Sequence, residues 1–591
     1  MADGYNDKEA NRPLRIIDPI TLEVIRHSVI ALMDECEINL ARTAFSKIIY
    51  EVKDYCVGLV TANGDLIAQS RGSIPSFLAD LKSPILDGIS IYGDDIHEGD
   101  VIITNYAGVC GQHLNNVVMI TPIFYKGILI AFSAVRAHWM DVGGAPGTGT
   151  TDIYQEGVQY RCVKIYKRGV LDRELERIIR YNTRLPDATF GDMEAQLAAC
   201  ELAKNRFVQL VDRYGWDQVE SSIHEIWDQS ETYIRRKIRE LPNGRYSAEG
   251  FMDDDGVGEE PVPIRATVII EDESITVDLT DMPPQVAGPL NSGATGGGET
   301  AAKVAFKGVL APELAANEGE FRSLQVTTRP GTMVSASPEA AMGWWSSPIK
   351  TLIDVIFKAF SQAVPDRVAA GHHGQYGAVQ LMGIDPNTNR RWVAGDLTLG
   401  GWGGRLREDG PSAMKCLTHG DTRNLPVEVE EVSAPVLITK LQLWPDSAGA
   451  GKHRGGLGTI KEMVVLQGGT GTFAFDRTKY PAWGLFGGKP AVPGHVEIFQ
   501  PGNDAPVELT KATRFPLQPG ARIVLSAGGG GGYGNPLDRN LESITLDLQR
   551  GYISRQAAER GYGVVFSENG EIDPAATQKK RSDLRKDKVG V

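Results

Sequence analysis

The segments G-Q-H-L-N-N-V (residues 111–117) and V-R-A-H-W-M-D-V-G-G (residues 135–144) each border a run of apolar, largely β-branched residues. Such runs are typical of buried strands, and they predict two neighbouring strands at residues 116–121 and 128–135. Each segment also carries one histidine at the end of its predicted strand. Two imidazole rings that end neighbouring strands are able to face one another.

These two histidines are His113 and His138, and Asp141 follows the second one closely. Imidazole and carboxylate groups so placed are able to bind a divalent cation of borderline character. In a long chain, however, scattered histidines more often pack or form hydrogen bonds than bind a metal. The residues alone therefore leave a metal site and an ordinary structural role both open.

Further helices and strands are predicted on both sides of these segments. Asp18-Pro19 precedes apolar residues at helical spacing, and Asn63-Gly64 separates two short strands of a hairpin. Pro242-Asn243-Gly244 ends a predicted pair of long helices and marks the best domain boundary. The remaining elements are helices at 193–214, 216–241, 346–360, 540–550 and 554–559, strands at 101–104, 263–270 and 274–278, and a strand-like region at 429–525.

The chain has 591 residues, which is too long for one compact core. We expect an α+β, or mixed α-β, multidomain protein that is β-rich, with mixed sheets flanked by helices and a helical C-terminal segment. Its predicted parts are an N-terminal α/β region (1–241) with the histidine pair, a β-rich region with glycine-rich turns (242–539), and a helical C-terminal part (540–591). The charge density of residues 579–588 predicts a disordered tail.

Composition excludes several classes of function. The net charge of −14 argues against nucleic acid as the main partner. No apolar run approaches the roughly 20 residues that cross a bilayer, and residues 1–13 lack the apolar region of a signal peptide. The six cysteines are widely spaced without a C-x-x-C pair. A reduced, cytoplasmic protein with free thiols is the simplest interpretation.

Other motifs favour structural roles. The segment Gly487-Gly488-Lys489-Pro490 lacks the spacing of a phosphate-binding loop, so the sequence predicts no nucleotide site in this chain. The 67 glycines are better explained by turns and close packing. His372-His373 is a candidate second ligand pair, although adjacent side chains usually point apart and a loop or strand-end role is favoured. Cys110 lies near His113, but nothing nearby marks its thiol as activated.

At several positions along its length the chain resembles the hydantoinase B/oxoprolinase family. The resemblance covers about residues 15 to 567, and many independent motifs occur in the family's order. The motifs are D-P-I-T-L-E-V-I-R (18–26), A-R-T-A-F-S (41–46), N-G-D-L-I-A-Q (63–69), R-A-H-W-M-D-V-G-G (136–144), Q-E-G (155–157), N-L-P-V-E-V-E-E (424–431), G-K-H-R-G-G-L-G (451–458), W-G-L-F-G-G-K-P (483–490), G-G-G-G-Y-G-N-P (529–536) and G-Y-I-S-R-Q-A-A-E-R-G-Y-G-V-V (551–565).

This resemblance implies one component of a hetero-oligomer rather than a complete enzyme. Family members pair with a hydantoinase A-like subunit of actin-like fold, which binds ATP with Mg²⁺ or Mn²⁺ and phosphorylates the substrate. The combined enzymes open cyclic amides such as hydantoins, 5-oxoproline and lactams, or carboxylate ketones such as acetone and acetophenone. A partner of this kind agrees with the lack of a nucleotide motif in this chain.

Three departures from the family pattern fall around one predicted site. The family usually has H-x-x-D where this chain has His113 and Asn116, and in the acetone-carboxylating members that aspartate joins two histidines as a metal ligand. The resemblance thus implies His113, His138 and Asn116 as ligands of Mn²⁺ or Zn²⁺, with an amide oxygen that should lower the affinity. Phe77 replaces the histidine of a common I-P-x-H, and Tyr106 replaces the aspartate of N-D-P.

These departures favour a ketone carboxylase of the acetophenone-carboxylating type, with a large apolar pocket. We expect His113, His138 and Asp141 to receive an enolate or enol phosphate together with activated bicarbonate, giving a β-keto acid. One histidine acts as acid or base, and Arg136 balances the developing negative charge. The predicted substrate-binding residues are Phe77, Tyr106, Asn116 and Trp139.

Two alternatives stay open. In the first alternative, the chain is the B component of an ATP-dependent cyclic amidase, such as an N-methylhydantoinase, 5-oxoprolinase or lactamase. In the second, it is a non-catalytic component that organises its partners.

Overall fold

The computed structural model describes residues 17–145, 147, 149–374, 377–420 and 422–586. The predicted polar N-terminus (1–13) lies outside these residues. The α-helices are α1 (Pro19–Thr43), α2 (Lys47–Tyr50), α3 (Lys82–Tyr92), α4 (Ala107–Cys110), α5 (Arg173–Asn182), α6 (Pro186–Tyr214), α7 (Trp216–Arg239), α8 (Thr300–Leu310), α9 (Glu318–Phe321), α10 (Ser346–Phe360), α11 (Val427–Ser433), α12 (Leu541–Gln549), α13 (Arg555–Gly561) and α14 (Pro574–Lys586).

The strands form four sheets. They are β1 (Tyr55–Thr61), β2 (Leu66–Gln69), β3 (Val101–Thr104), β4 (Asn116–Tyr125), β5 (Ile128–His138), β6 (Val163–Lys167), β7 (Val170–Leu171), β8 (Gly244–Met252), β9 (Val262–Glu271), β10 (Ser274–Leu279), β11 (Leu324–Thr328), β12 (Ala378–Ile384), β13 (Arg391–Leu397), β14 (Val436–Leu443), β15 (Thr459–Val465), β16 (Gly469–Ala474), β17 (His495–Phe499), β18 (Val507–Leu509), β19 (Lys511–Leu517) and β20 (Ala521–Ser526).

Helix α1 begins where the sequence predicts it. The Asp18 carboxylate accepts a hydrogen bond from the backbone N–H of Thr21 at 2.8 Å, and Pro19 occupies the first turn, where no donor is lost. Its buried apolar residues recur at helical spacing, and this face packs against α6. In the part of the chain that the structure describes, no helix has the length and apolar character needed to span a membrane.

The first sheet has the order β2-β1-β5-β4-β3-β6-β7 and is antiparallel throughout. Its central strands β4 and β5 are the two neighbouring strands that the opening segments predict, joined as a hairpin, and helix α6 packs against both. Both central strands are almost completely buried, which explains their continuous apolar runs. The hairpin predicted around Asn63-Gly64 is likewise present as β1 and β2.

The second sheet, β11-β10-β9-β8, packs against α10 and shares one apolar core with the first sheet. This core includes buried residues from Ile25 to Val368 and therefore draws on both sides of the proposed boundary at Pro242. The division of the chain into 1–241, 242–539 and 540–591 stays a prediction.

The other two sheets, β13-β12-β16-β19 and β14-β15-β20-β17-β18, enclose a second core, and α12 and α13 contribute to a third. One helix, α11, interrupts the region predicted to be strand-like from residue 429. The glycine run at 528–532 packs tightly: a Cβ at Gly530 would collide with the carbonyl group of Trp402. The prediction of a multidomain, mixed α-β fold with helices at the C-terminus is confirmed.

The prediction of a disordered tail is wrong as far as Lys586; Asp587 and Lys588 lie outside the described residues. Helix α14 is ordered because its basic residues find backbone acceptors. Arg581 donates to the carbonyl oxygens of Tyr562 and Arg539, at 2.9 and 2.8 Å. A high density of charge indicates disorder only when the charges remain in solvent, which local sequence does not reveal.

Candidate active site

The register of β4 and β5 determines which side chains meet. Asn116 and His138 are a directly opposed pair, and Arg136 lies two residues before His138. Because side chains alternate along a strand, these three share one face of the sheet. His113 precedes β4, and its ring centroid lies 4.9 Å from that of His138, with the ring planes at 77°. The two predicted histidines are therefore brought together.

An aromatic wall stands beside the histidine pair. Trp345 is the residue that immediately precedes α10. Its ring centroid lies 6.0 Å from that of His113 and 6.3 Å from that of Phe77. The guanidinium of Arg136 lies 5.1 Å from the centroid of the Phe77 ring. The structure thus places Phe77 in the predicted neighbourhood. Trp345 was not predicted, since nothing in its local sequence relates it to His113.

Arg136 is held by a buried partner that the sequence did not predict. Its guanidinium pairs with the carboxylate of Asp80, and both side chains are fully buried. Gln112 donates to the same carboxylate at 2.8 Å, and Asn116 donates to Gln112 at 2.9 Å. Burial disfavours the charge of Arg136, but Asp80 outweighs it and raises the pKa of Arg136. The site therefore has a charged guanidinium whose charge is already balanced.

Both histidines are neutral at neutral pH. Burial lowers the pKa of His113 to about 4, against small opposing effects of Asn116 and Gly343. Burial, and then the proximity of His113, lower the pKa of His138 well below its ordinary value. A neutral imidazole has a lone pair with which it accepts a proton or binds a metal.

Several buried polar atoms of this group have no hydrogen-bond partner among the described residues. They are His138 Nδ1, Asn116 Oδ1, Asp80 Oδ1, and Nε and Nη2 of Arg136. Buried polar atoms are nearly always paired, so an unpaired cluster requires a specific cause. A bound polar ligand would supply acceptors for the arginine and donors for the oxygen atoms.

The donor set does not fit a tightly held metal ion. It offers two neutral imidazoles and one amide oxygen. Within the described ranges, no group of three or more histidine, cysteine, aspartate or glutamate side chains is arranged to hold a metal. Mn²⁺ and Zn²⁺ sites in proteins usually include a charged ligand. Metal binding by His113, His138 and Asn116 stays a prediction.

The other predicted site residues make contacts elsewhere. The Asp141 carboxylate pairs with Arg184 at 3.2 Å and accepts a hydrogen bond from Thr183. The Tyr106 ring lies 4.9 Å from the guanidinium of Arg161. The catalytic role of Asp141 and the lining role of Tyr106 stay predictions that these contacts do not support.

Trp139 packs between the first sheet and helix α6. Its indole is 1 % exposed, and Nε1 donates to Gln196 of α6 at 2.7 Å. As the residue after His138 it points to the opposite face, toward the helix. A substrate contact for Trp139 likewise stays a prediction without support from its surroundings.

The second pair, His372 and His373, lies in a different environment. Their ring centroids are 5.7 Å apart, and both side chains are buried. His372 Nδ1 lies 3.3 Å from Asp354, which also pairs with Arg477 at 2.6 Å and accepts a hydrogen bond from Trp483 at 2.7 Å. Burial opposes the charge of Asp354, but Arg477 and then His372 outweigh it, so its pKa is well below the ordinary value. This pair is part of a structural network.

The model of one protein family, hydantoinase B/oxoprolinase, matches residues 18–536. A protein of Pseudomonas sp. (strain NS671), provisionally named as the B component of a D-/L-hydantoinase, is 32% identical over 598 residues, which cover 97% of this chain and 99% of that protein. The beta component of the caprolactamase of Pseudomonas jessenii is 32% identical over 587 residues, with 96% and 100% coverage.

Solved structures agree with these matches. The crystal structure of the ATP-dependent caprolactamase from Pseudomonas jessenii superposes with a TM-score of 0.89 at 30% identity and covers 96% of this chain and 100% of the compared one. The nucleotide-free structure of an acetone carboxylase has a TM-score of 0.87 at 19% identity, covering 97% of this chain and 83% of the compared one. At that identity the second likeness establishes a common fold alone.

Proposed function

Because the chain belongs to the hydantoinase B/oxoprolinase family, we propose that it is the B-type component of an ATP-dependent enzyme that opens a cyclic amide. One observation of the site carries the proposal: two neutral imidazoles, His113 and His138, face each other beside buried polar atoms that lack partners among the described residues. Two relatives that match this chain end to end are named for hydantoin and caprolactam chemistry. The proposal therefore puts the cyclic amidase ahead of the ketone carboxylase that the departures from the family pattern favoured.

The site residues have distinct chemical roles in this proposal. One neutral imidazole accepts the proton of the attacking water, and His138 Nδ1 is the unpaired nitrogen suited to that task. The unpaired N–H groups of Arg136 donate hydrogen bonds to the oxygen that gains negative charge. Asp80 holds Arg136 in place without taking up these donors. The aromatic wall of Phe77 and Trp345 contacts the apolar part of the ring.

We propose that a hydantoinase A-like partner chain binds ATP with Mg²⁺ or Mn²⁺ and phosphorylates the amide oxygen. Support comes from the relatives, whose names make each of them one of several chains of its enzyme. It also comes from the glycine-rich segments, whose spacing does not match a nucleotide-binding loop. The proposed location is the cytoplasm, because six free cysteines fit a reducing compartment.

A ketone carboxylase is the second candidate. Asn116 in place of a carboxylate and the Phe77–Trp345 wall favour an apolar ketone over a polar hydantoin ring. Carboxylation of a methyl ketone by activated bicarbonate is the specific form of this candidate.

Reconstitution with an A-like partner chain tests the proposal. ATP turnover is measured with hydantoin, 5-oxoproline and caprolactam, and separately with acetophenone or acetone plus bicarbonate. We expect turnover that depends on a cyclic amide, with release of the ring-opened product. Turnover that requires both ketone and bicarbonate would establish the second candidate instead. If the complexes with His113→Ala and with His138→Ala keep full activity, the chain is a structural component and not a catalytic one.

A further inference from the structure

The six cysteines differ sharply in their surroundings. Burial raises the pKa of Cys110 to about 11 and that of Cys36, Cys162 and Cys200 to about 12, and it also raises the pKa of Cys56. These five thiols are inert at neutral pH. Cys110, which the sequence places near His113, is among them. The sixth thiol, Cys416, has a different environment.

Cys416 forms a close triad with two residues of its own loop. Its Sγ lies 3.1 Å from His419 Nδ1 and 3.2 Å from the Thr418 hydroxyl, and that hydroxyl lies 3.1 Å from the same ring nitrogen. All three side chains are buried. Burial opposes ionisation, but His419 and then the charge of Lys350 outweigh it and lower the pKa of Cys416 to about 5. A thiolate beside an imidazole is the arrangement of a nucleophilic cysteine.

The loop that carries the triad packs against the candidate active site. The backbone N–H of Ser76 donates to the carbonyl oxygen of Thr418 at 3.2 Å, next to Phe77 of the aromatic wall. His419 lies close enough to both histidines of the site to lower the pKa of each slightly. The loop of the triad therefore lies next to the aromatic wall of the His113–His138 site.

We propose that Cys416, assisted by His419, is the nucleophile that receives the acyl group of the activated cyclic amide at this site. This inference rests on the proposed function, because the electrophile is the O-phosphorylated amide made by the ATP-binding partner.

The proposed reaction has three steps. The thiolate of Cys416 forms a C–S bond to the amide carbon, and phosphate leaves with the electrons of the broken C–O bond, giving a cyclic thioimidate. Water adds to that carbon and gives a proton to an imidazole; the C–N bond then breaks and the nitrogen takes up a proton, leaving a thioester. A second water hydrolyses the thioester, which releases the carboxylate and restores the thiolate.

The first experiment compares thiols within the intact wild-type chain. Alkylation by iodoacetamide at pH 6 is followed for each cysteine peptide by mass spectrometry. We expect Cys416 to react on the order of 10-fold faster than an ordinary thiol, because its larger ionised fraction at that pH outweighs the lower nucleophilicity of a less basic thiolate. His419→Asn should remove most of this advantage. A Cys416 that reacts no faster than Cys36 overturns the inference, and this measurement requires no cysteine variant to fold.

The second experiment uses the reconstituted complex during turnover. We expect acid quenching to trap a substrate-sized mass on the Cys416 peptide, and Cys416→Ser to lower ring opening at least about 100-fold. The matched control, Cys36→Ala on α1, should keep wild-type turnover. Ring opening that persists in Cys416→Ser overturns the nucleophile but leaves the proposed function intact. If the wild-type complex opens no cyclic amide, the proposed function fails, and the alkylation contrast alone decides whether the triad is reactive.

Discussion

The His113–His138 pair and the His372–His373 pair look alike in composition but differ in what surrounds them. His113 and His138 come from separate chain segments, are partly exposed, and adjoin buried polar atoms without partners among the described residues. His372 and His373 are neighbours in sequence and buried, and His372 is bound to Asp354, which Arg477 and Trp483 also hold. His372 Nε2 and Arg477 Nε also lack hydrogen-bond partners among the described residues, so the two pairs differ chiefly in exposure: the first is partly accessible and the second is buried.

This difference separates function from stability. Unused hydrogen-bonding capacity serves a ligand only where the ligand is able to reach it, and partly exposed side chains meet that condition. A buried network of ion pairs and hydrogen bonds instead specifies how distant segments pack. A change at the first pair should therefore affect turnover, and a change at the second should affect folding.

The largest expected effect is on turnover. In the reconstituted complex, His138→Ala should lower kcat by about 10²–10⁴-fold, the usual contribution of a general acid or base. Its free energy of unfolding should change by less than about 1 kcal/mol, because the side chain is partly exposed. Steady-state kinetics and urea denaturation measure the two quantities. His372→Ala is the matched comparison: it should lower stability while kcat of the folded protein stays within about threefold.

The next effect is on stability. Asp354→Ala leaves the buried guanidinium of Arg477 without its partner and should lower the free energy of unfolding by about 3–5 kcal/mol. Asp538→Ala removes a half-exposed pair with Arg585 and should cost at most about 1 kcal/mol. Chemical denaturation of both variants measures the contrast. Equal losses would mean that the Asp354 network does not fix the packing.

Acid should lower the stability of the fold, because His113 is held neutral in the folded state. The folded protein binds a proton there only near pH 4, whereas an unfolded histidine binds one near pH 6.5. Between these values the unfolded state holds more protons, so stability falls as pH drops from about 6.5 to 4, by about 2–3 kcal/mol for this residue. His113→Gln should reduce this slope. Carboxyls with raised pKa, such as Asp54 at about 6, act in the opposite direction, so the wild-type minus variant difference is the quantity to measure.

The smallest effect concerns metal. Asn116→Asp replaces an amide oxygen with a carboxylate opposite His138, and it should tighten Mn²⁺ or Zn²⁺ binding on the order of tenfold or more. Metal titration followed by calorimetry, on the wild type and the variant, tests this. Tight stoichiometric binding by the wild type would show that the amide oxygen is an adequate ligand. The same substitution at Asn115, whose side chain is bound to the Trp139 carbonyl, is the control and should not tighten binding.

Much of the fold was predictable because its signals are local. The apolar spacing after Asp18, the strands that flank the two opening segments, and the proline-containing start of α10 all correspond to observed elements. The errors have tertiary causes. The charges of α14 are ordered because Arg581 reaches carbonyl groups of residues far away in the sequence.

The site was predictable only in part, for the same reason. The ends of two predicted strands brought His113 and His138 together, and the family resemblance added Asn116 and Arg136. The alternation of side chains along a strand depends on the backbone alone. Which residue neutralises a buried charge or activates a thiol depends on chain segments that meet only after folding. Only the tertiary structure determines three contacts of this site: Asp80 with Arg136, Trp345 with His113, and the Cys416 loop with the aromatic wall. The reason is that electrostatic and packing energies depend on distance in space and not on separation in sequence.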